Sequence, residues 1–150
     1  MKGAINYFKA AEHLLANRVA LEQALANLEH RRDRVIQKAA PKGISVIDYS
    51  RPYVSGGGAN DAMLDCLKLE ELNWEIQETR EMVEEIDRVI SQLEKVEADL
   101  LRAWYIEKKS KEEIAELLSY SSKKTIYDMR NKAVAAFAIL YFGAGAIVST

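Results

Sequence analysis

The sequence predicts an all-α chain, a long helical coiled-coil hairpin followed by a C-terminal helix-turn-helix module. Three observations carry that expectation. Apolar residues recur at alternating spacings of three and four through two long segments, and both prolines and four of the seven glycines fall between them. Residues 110–133 then read as a capped short helix, a polar turn and a second helix with basic residues along one side. The expected divisions are an N-terminal coiled-coil helix over 1–40, a Pro/Gly-rich linker over 41–60, an acidic heptad helix over 61–95, the helix-turn-helix module over 96–142 and an apolar tail over 143–150.

In the first segment Leu14, Leu21, Leu28 and Val35 stand seven apart with Leu25 beside them, flanked by Ile5, Phe8, Leu15 and Val19. A seven-residue repeat keeps one apolar stripe turned toward a partner helix. Arg18 and Arg32 fall near that stripe, where their long side chains either bend to water or meet the acidic helix. His13 and His30 lie far apart with no cysteine cluster beside them, so no metal site is expected. The first residues show neither a long apolar run nor a cleavage pattern, and no signal peptide is expected.

Pro41 and Pro52 prevent a continuous helix through the linker. Ile44, Val46 and Ile47 suit a short extended piece docked on the helices. Gly56-Gly57-Gly58 has neither the following lysine-serine pair nor the preceding strand of a phosphate-cradling loop. Asn60-Asp61 supplies an N-cap for the next helix.

That helix carries Leu69, Leu72, Ile76, Thr79, Val83, Ile86, Ile90 and Leu93 on one seam. Two helices of about 35 residues are each too long for one small core, so they pair with each other or with copies of themselves. An antiparallel hairpin within the chain and a dimer both satisfy the seams. Charge is segregated along the chain: residues 1–60 hold nine Lys/Arg against five Asp/Glu, residues 61–99 four against thirteen, and residues 100–150 eight against five. The net values of +4, −9 and +3 confine any DNA contact to the C-terminal module and the first helix, because the acidic middle repels phosphate.

In the C-terminal module, Ser110 followed by Glu113 is a capping box, in which the serine side chain takes an orphan amide and the glutamate reaches back to the serine amide. Ile114, Leu117 and Leu118 form one apolar face, with Ala115 small enough for close helix approach. Ser119-Tyr120-Ser121-Ser122 favours a turn and an N-cap. Ile126, Met129, Ala133, Phe137 and Leu140 set up the next stripe, and Leu100, Leu101, Trp104 and Ile106 supply a supporting helix, so three helices share one core. The other side of the second helix presents Lys123, Lys124, Thr125, Tyr127, Arg130 and Lys132, the expected DNA-binding residues. Arginine reads guanine edges in the major groove, whereas lysines and hydroxyls mostly hold phosphates. A solvated basic face is the plainer alternative.

These residues resemble region four of primary sigma factors, and more closely the sigma-like phage transcriptional regulators of the RinA and ArpU type. The matching stretches are Leu100 to Ser110, Glu113-Ile114-Ala115-Glu116-Leu117-Leu118, Tyr120-Ser121 and Thr125-Ile126-Tyr127. Asp48-Tyr49-Ser50, Val54 and the triple glycine resemble the linker of that phage group. Two departures stand out: Ser119 occupies a position where many relatives have glycine, and Asp128 one where they tend to be basic. The resemblance implies a phage or prophage late-gene activator that binds double-stranded DNA and engages RNA polymerase.

The apolar tail is too short for a bilayer span and leaves Tyr141, Phe142 and Ile147 to bury against the coiled coil or a second subunit. Cys66 is the only cysteine, which excludes an intramolecular disulfide and fits the cytoplasm. No nucleophile has a base near it in sequence and no metal-ligand spacing occurs, so no enzyme and no cofactor is expected. The function expected is sequence-specific transcriptional regulation by a homo-oligomer, with no membrane partner. The alternatives are the DNA-recognition small subunit of a phage packaging terminase and a coiled-coil adaptor that binds RNA polymerase without touching DNA.

Overall fold

Side-chain caps at Asn6, Ser110 and Ser122 mark the starts of three of the described helices. The computed structural model describes residues 5–39, 57–119 and 122–148, and these are all-helical, with no strand among the described residues. Asn6 accepts from the Lys9 amide at 3.0 Å and opens α1, Tyr7–Ala16. There follow α2 (Arg18–Ala39), α3 (Gly57–Gln92), α4 (Lys95–Leu101), a π-helical turn (Arg102–Ile106), α5 (Lys111–Leu117), α6 (Lys123–Phe142) and α7 (Ala144–Val148). The expected extended piece at Ile44, Val46 and Ile47 lies outside the described residues, as does Tyr120-Ser121.

The N-terminal segment is two helices rather than the one expected through residue 40. Asn17 divides them: its side-chain amide donates to the His13 carbonyl at 2.7 Å, an acceptor its own backbone N–H also uses at 3.1 Å. Such local side-chain contacts compete with helix continuation. α3 begins at Gly57, earlier than an Asn60-Asp61 cap, so two glycines of the triple run are helical. In a long helix each added residue gains one backbone bond, which offsets the roughly 1 kcal/mol that glycine costs.

The chain forms two compact units, Met1–Ala20 with Met82–Thr150, and Leu21–Glu81. In the second unit Ile76 is buried, and Leu21, Leu25, Leu28, Val35, Leu69, Leu72 and Thr79 are half-buried. Asp65 extends the same three-four spacing one step toward the start of α3 and is buried with it. Arg80 of α3 meets Glu29 of α2 at 3.6 Å. Met63, Leu64, Leu67 and Trp74 are exposed.

In the first unit Val83, Ile86 and Ile90 continue the seam as fully or nearly buried residues, joined by Val89. Arg18, near the seam of α2, meets the acidic helix: its guanidinium donates to both carboxylate oxygens of Asp87, at 2.9 and 2.6 Å. α1 packs along α6 and against the π-helical turn, burying Ala11 and Leu15 completely. α6 carries a buried stripe of Ala133, Val134, Phe137 and Ala138. That stripe turns away before Leu140, expected in the core but 46% exposed.

The tail folds back on α1. Gly143 has φ +83°, a conformation that L side chains rarely adopt, and it separates α6 from α7. The rings of Phe142 and Tyr7 lie 5.2 Å apart, Tyr141 stacks on Phe137 at 5.6 Å, and Ala146 is buried. A Cβ at Gly145 would stand 2.9 Å from the Tyr7 hydroxyl, so only glycine admits this approach without displacing that ring. No helix among the described residues is long and apolar enough to cross a membrane.

Candidate functional site

Leu100 of α4, Ala103 of the π-helical turn, Ile114 of α5 and Ile126 of α6 form one buried cluster, with Trp104, Ala115, Leu118 and Met129 packed against it. Local sequence brings each helix there. At the start of α5 the Ser110 hydroxyl accepts from the Glu113 amide and donates to the Glu113 carboxylate, both at 3.2 Å. The glutamate thus meets the serine hydroxyl, where a capping box would send it to the serine amide. Ile114 and Leu118, one turn apart, face the cluster, and Leu117 points away at 52% exposure. Ser119 ends the helix in the left-handed region at φ +59°. Ser122 then caps α6, its hydroxyl accepting from the Thr125 amide at 3.5 Å.

On α6, Lys123, Lys124, Tyr127, Asp128, Asn131 and Lys132 are exposed, and Thr125 is half-buried. Helical spacing puts Lys124, Tyr127, Asp128 and Asn131 on one outward strip, with Lys123 and Lys132 at its edges. This strip begins at the helix N-terminus, where free amides and the helix dipole add positive potential. Lys123 also lies 3.6 Å from Glu112 of α5. The Glu112 carboxyl is held below the usual carboxylate range by a backbone N–H and by Lys123.

Arg130 is placed differently from the other expected contact residues. Its Nη1 donates to Glu12 Oε2 and to the Tyr105 hydroxyl, each at 3.1 Å, and Tyr105 itself donates to Glu12 Oε2 at 3.1 Å. Its Nε donates to the Asn131 side chain at 2.9 Å. The guanidinium also stands 4.8 Å from the centre of the Trp104 ring and 5.7 Å from that of Tyr127, and the side chain is 17% exposed. Burial pushes the Tyr105 hydroxyl above the ordinary tyrosine range, so it stays protonated and able to donate. Lys111 covers Trp104 at 4.0 Å, and Tyr127 meets the same ring edge-on at 5.2 Å.

The π-helical turn produces this arrangement. The Glu107 amide reaches back five residues to the Arg102 carbonyl at 2.8 Å, and Lys108 turns the chain out at φ +53°. Tyr105 thereby meets α1 while its neighbour Trp104 meets α5 and α6. Glu12, Tyr105 and Lys111 were not singled out as site residues from the sequence. Glu12 looks like any solvated helix acid until the fold brings it to a residue 118 positions away. No protein-family model, curated protein or solved structure matches this chain.

Proposed function

We propose that this chain is a sequence-specific DNA-binding transcriptional regulator of the sigma region-four type, in which α5 and α6 act as a helix-turn-helix and α6 enters the major groove. The observation that carries the proposal is the cluster of Leu100, Ala103, Ile114 and Ile126, because it ties three helices together while leaving the start of α6 uncovered. A recognition helix needs that combination of a fixed axis and a free polar face. Lys123, Lys124, Thr125, Tyr127 and Lys132 are the contact residues of this reading, with Asn131 placed to read an adenine edge. Arg130 contributes by holding α6 against α1 and the π-helical turn, and a base contact from it would require release from Glu12. α2 and α3 pair as an antiparallel coiled-coil hairpin, a reading supported by the Glu29–Arg80 pair and the half-buried leucine seam, and in this proposal that hairpin sets the oligomeric state. A late-gene activator of phage or prophage origin fits this architecture.

Fluorescence anisotropy against DNA fragments from the surrounding genome, at two salt concentrations, tests the proposal. Tight binding to a few fragments is expected, weakened by salt and lost in a Lys123/Lys124/Lys132 triple alanine variant. Equal affinity in variant and parent would refute it. Asp128 on the outward strip and Glu112 beside Lys123 favour a second reading, a protein adaptor that docks on RNA polymerase through the same face. Polymerase retention without DNA affinity at low salt would select that reading.

A further inference from the structure

Charge is divided by face on α2. At 3.6 residues per turn, Gln23, Asn27, Arg31, Arg34, Gln37 and Lys38 follow one flank of the helix, and all six are exposed. The three acids of α2, Glu22, Glu29 and Asp33, follow a separate flank. There Glu29 meets Arg80 at 3.6 Å and Asp33 meets Arg32 at 3.7 Å. Arg31, Arg34 and Lys38 form no ion pair among the described residues. Together with Gln37 and Val35 they border one open recess. Arg31 also borders a recess shared with Lys68 and with Glu70, Glu71 and Glu75 of α3, whereas neither Arg34 nor Lys38 borders that one.

Solvation alone explains this flank poorly. A face that serves only solubility mixes both signs, and this one excludes carboxylates over about four turns. Attraction to the helix dipole accounts for Lys38 in the last turn, but it fades before Arg34 and Arg31. Cations spaced among amide side chains suit phosphate, since arginine and lysine neutralise it while glutamine and asparagine donate to its oxygens. A bilayer surface fits less well. A helix lying in lipid turns its apolar side into the acyl boundary, and the apolar side of α2, with Leu21, Leu28 and Val35, is half-buried in the protein. We propose that this flank of α2 holds the phosphate backbone of double-stranded DNA, as a sequence-independent contact separate from α6. It shares a partner with the proposed function and none of its residues, so either can fail alone.

Fluorescence anisotropy of the full chain on a random-sequence duplex, across a series of low salt concentrations, provides the test, with circular dichroism to confirm that each variant keeps its helices. Arg31→Gln, Arg34→Gln and Lys38→Gln combined should reduce the slope of log affinity against log salt by about 2 to 3, since each phosphate contact contributes about 0.9. Glutamine forms helix about as well as arginine and lysine, so helix content should be kept. Arg31→Lys with Arg34→Lys should keep the parent's slope, because a point charge suffices at a phosphate. Preference among genomic fragments should be the same in the glutamine variant and the parent, since phosphate contacts carry no sequence information. An unchanged slope in the glutamine variant, a reduced one in the lysine variant, or a lost preference would overturn the inference. Duplex binding kept by the Lys123/Lys124/Lys132 alanine variant and lost by the glutamine variant would support it while removing the reading of α6. The reverse pattern would overturn it and leave that reading standing, and a parent with no affinity for any duplex would overturn both. Capture by phosphatidylserine vesicles without duplex binding would replace DNA by a membrane as the partner of this flank.

Discussion

Replacing Arg130 by methionine removes a guanidinium that joins α1, the π-helical turn and α6, and the cost follows from its surroundings. Two charge-assisted bonds at 3.1 Å are lost together with the exposed bond from Nε to Asn131 at 2.9 Å, which water replaces; the Glu12 side chain is 33% exposed, so water also takes up much of the freed carboxylate. Screening of this kind reduces the ion-pair contribution to about 1 kcal/mol. Tyr105 keeps its bond to Glu12 and leaves no orphaned hydroxyl. Loss of the cation over Trp104 adds about 0.5–1 kcal/mol. The expected total is about 2 kcal/mol, or a fall in Tm of about 4–8 °C for a chain of this size. Denaturant unfolding followed by Trp104 fluorescence, in a Trp74→Phe background, reads the ring that Arg130 covers. A double-mutant cycle with Glu12→Gln should give a coupling energy of about 1 kcal/mol, since the two groups share one bond. Additivity within about 0.3 kcal/mol would refute the idea that Glu12 holds Arg130.

Further outcomes follow from single backbone and titration features. Ser119→Gly should stabilise the chain by about 0.5–1 kcal/mol, because Ser119 sits at φ +59° where glycine avoids the steric cost of Cβ; a lowered Tm would contradict this. Gly143→Ala should cost about 1–3 kcal/mol by forcing a Cβ into a strained region at φ +83°, and an unchanged melting curve would count against that strain. Tyr105 and Tyr141 both have pKa values raised mainly by burial, so the stability they contribute is present below the unfolded tyrosine pKa and is lost as pH rises through their folded values. Alkaline unfolding should therefore be shallower in Tyr105→Phe, and an identical alkaline limb would remove Tyr105 from the linkage. Lys124→Ala and Lys132→Ala should each reduce the slope of log affinity against log salt by about 1 if they hold phosphates. A slope equal to the parent's would assign those lysines to water.

Periodicity and capping are local properties, and they decided most of the helical framework. Leu69 to Ile90 at alternating threes and fours specify one helix with one apolar stripe, whatever partner covers it, whereas Leu93, expected on the same seam, falls just past the helix end at Gln92. Ser110 and Ser122 mark helix starts because orphan amides need an acceptor in any fold, and both hydroxyls take one. The triad of Ile114, Leu118 and Ile126 was likewise legible as a shared core. Leu117 and Leu140 were misplaced because periodicity gives a stripe its spacing and leaves the angle of the covering helix unstated. Asn17 was unremarkable in sequence, since an asparagine on a helix is often a plain solvated residue, and its break depends on a contact to His13.

The polar outward strip of α6, Lys124, Tyr127, Asp128 and Asn131, was determined by the sequence alone, because exposed polar side chains need no tertiary partner to stay where their helix puts them. Tertiary structure alone decided the fate of Arg130. Whether a guanidinium reads solvent or is held by a carboxylate depends on which acid the fold brings within about 3 Å, since only at contact does attraction outweigh the hydration it displaces. Glu12, Tyr105 and Arg130 meet only because α1 lies on α6 and a π-helical turn aims Tyr105 between them, and no residue pattern within any one segment encodes that meeting.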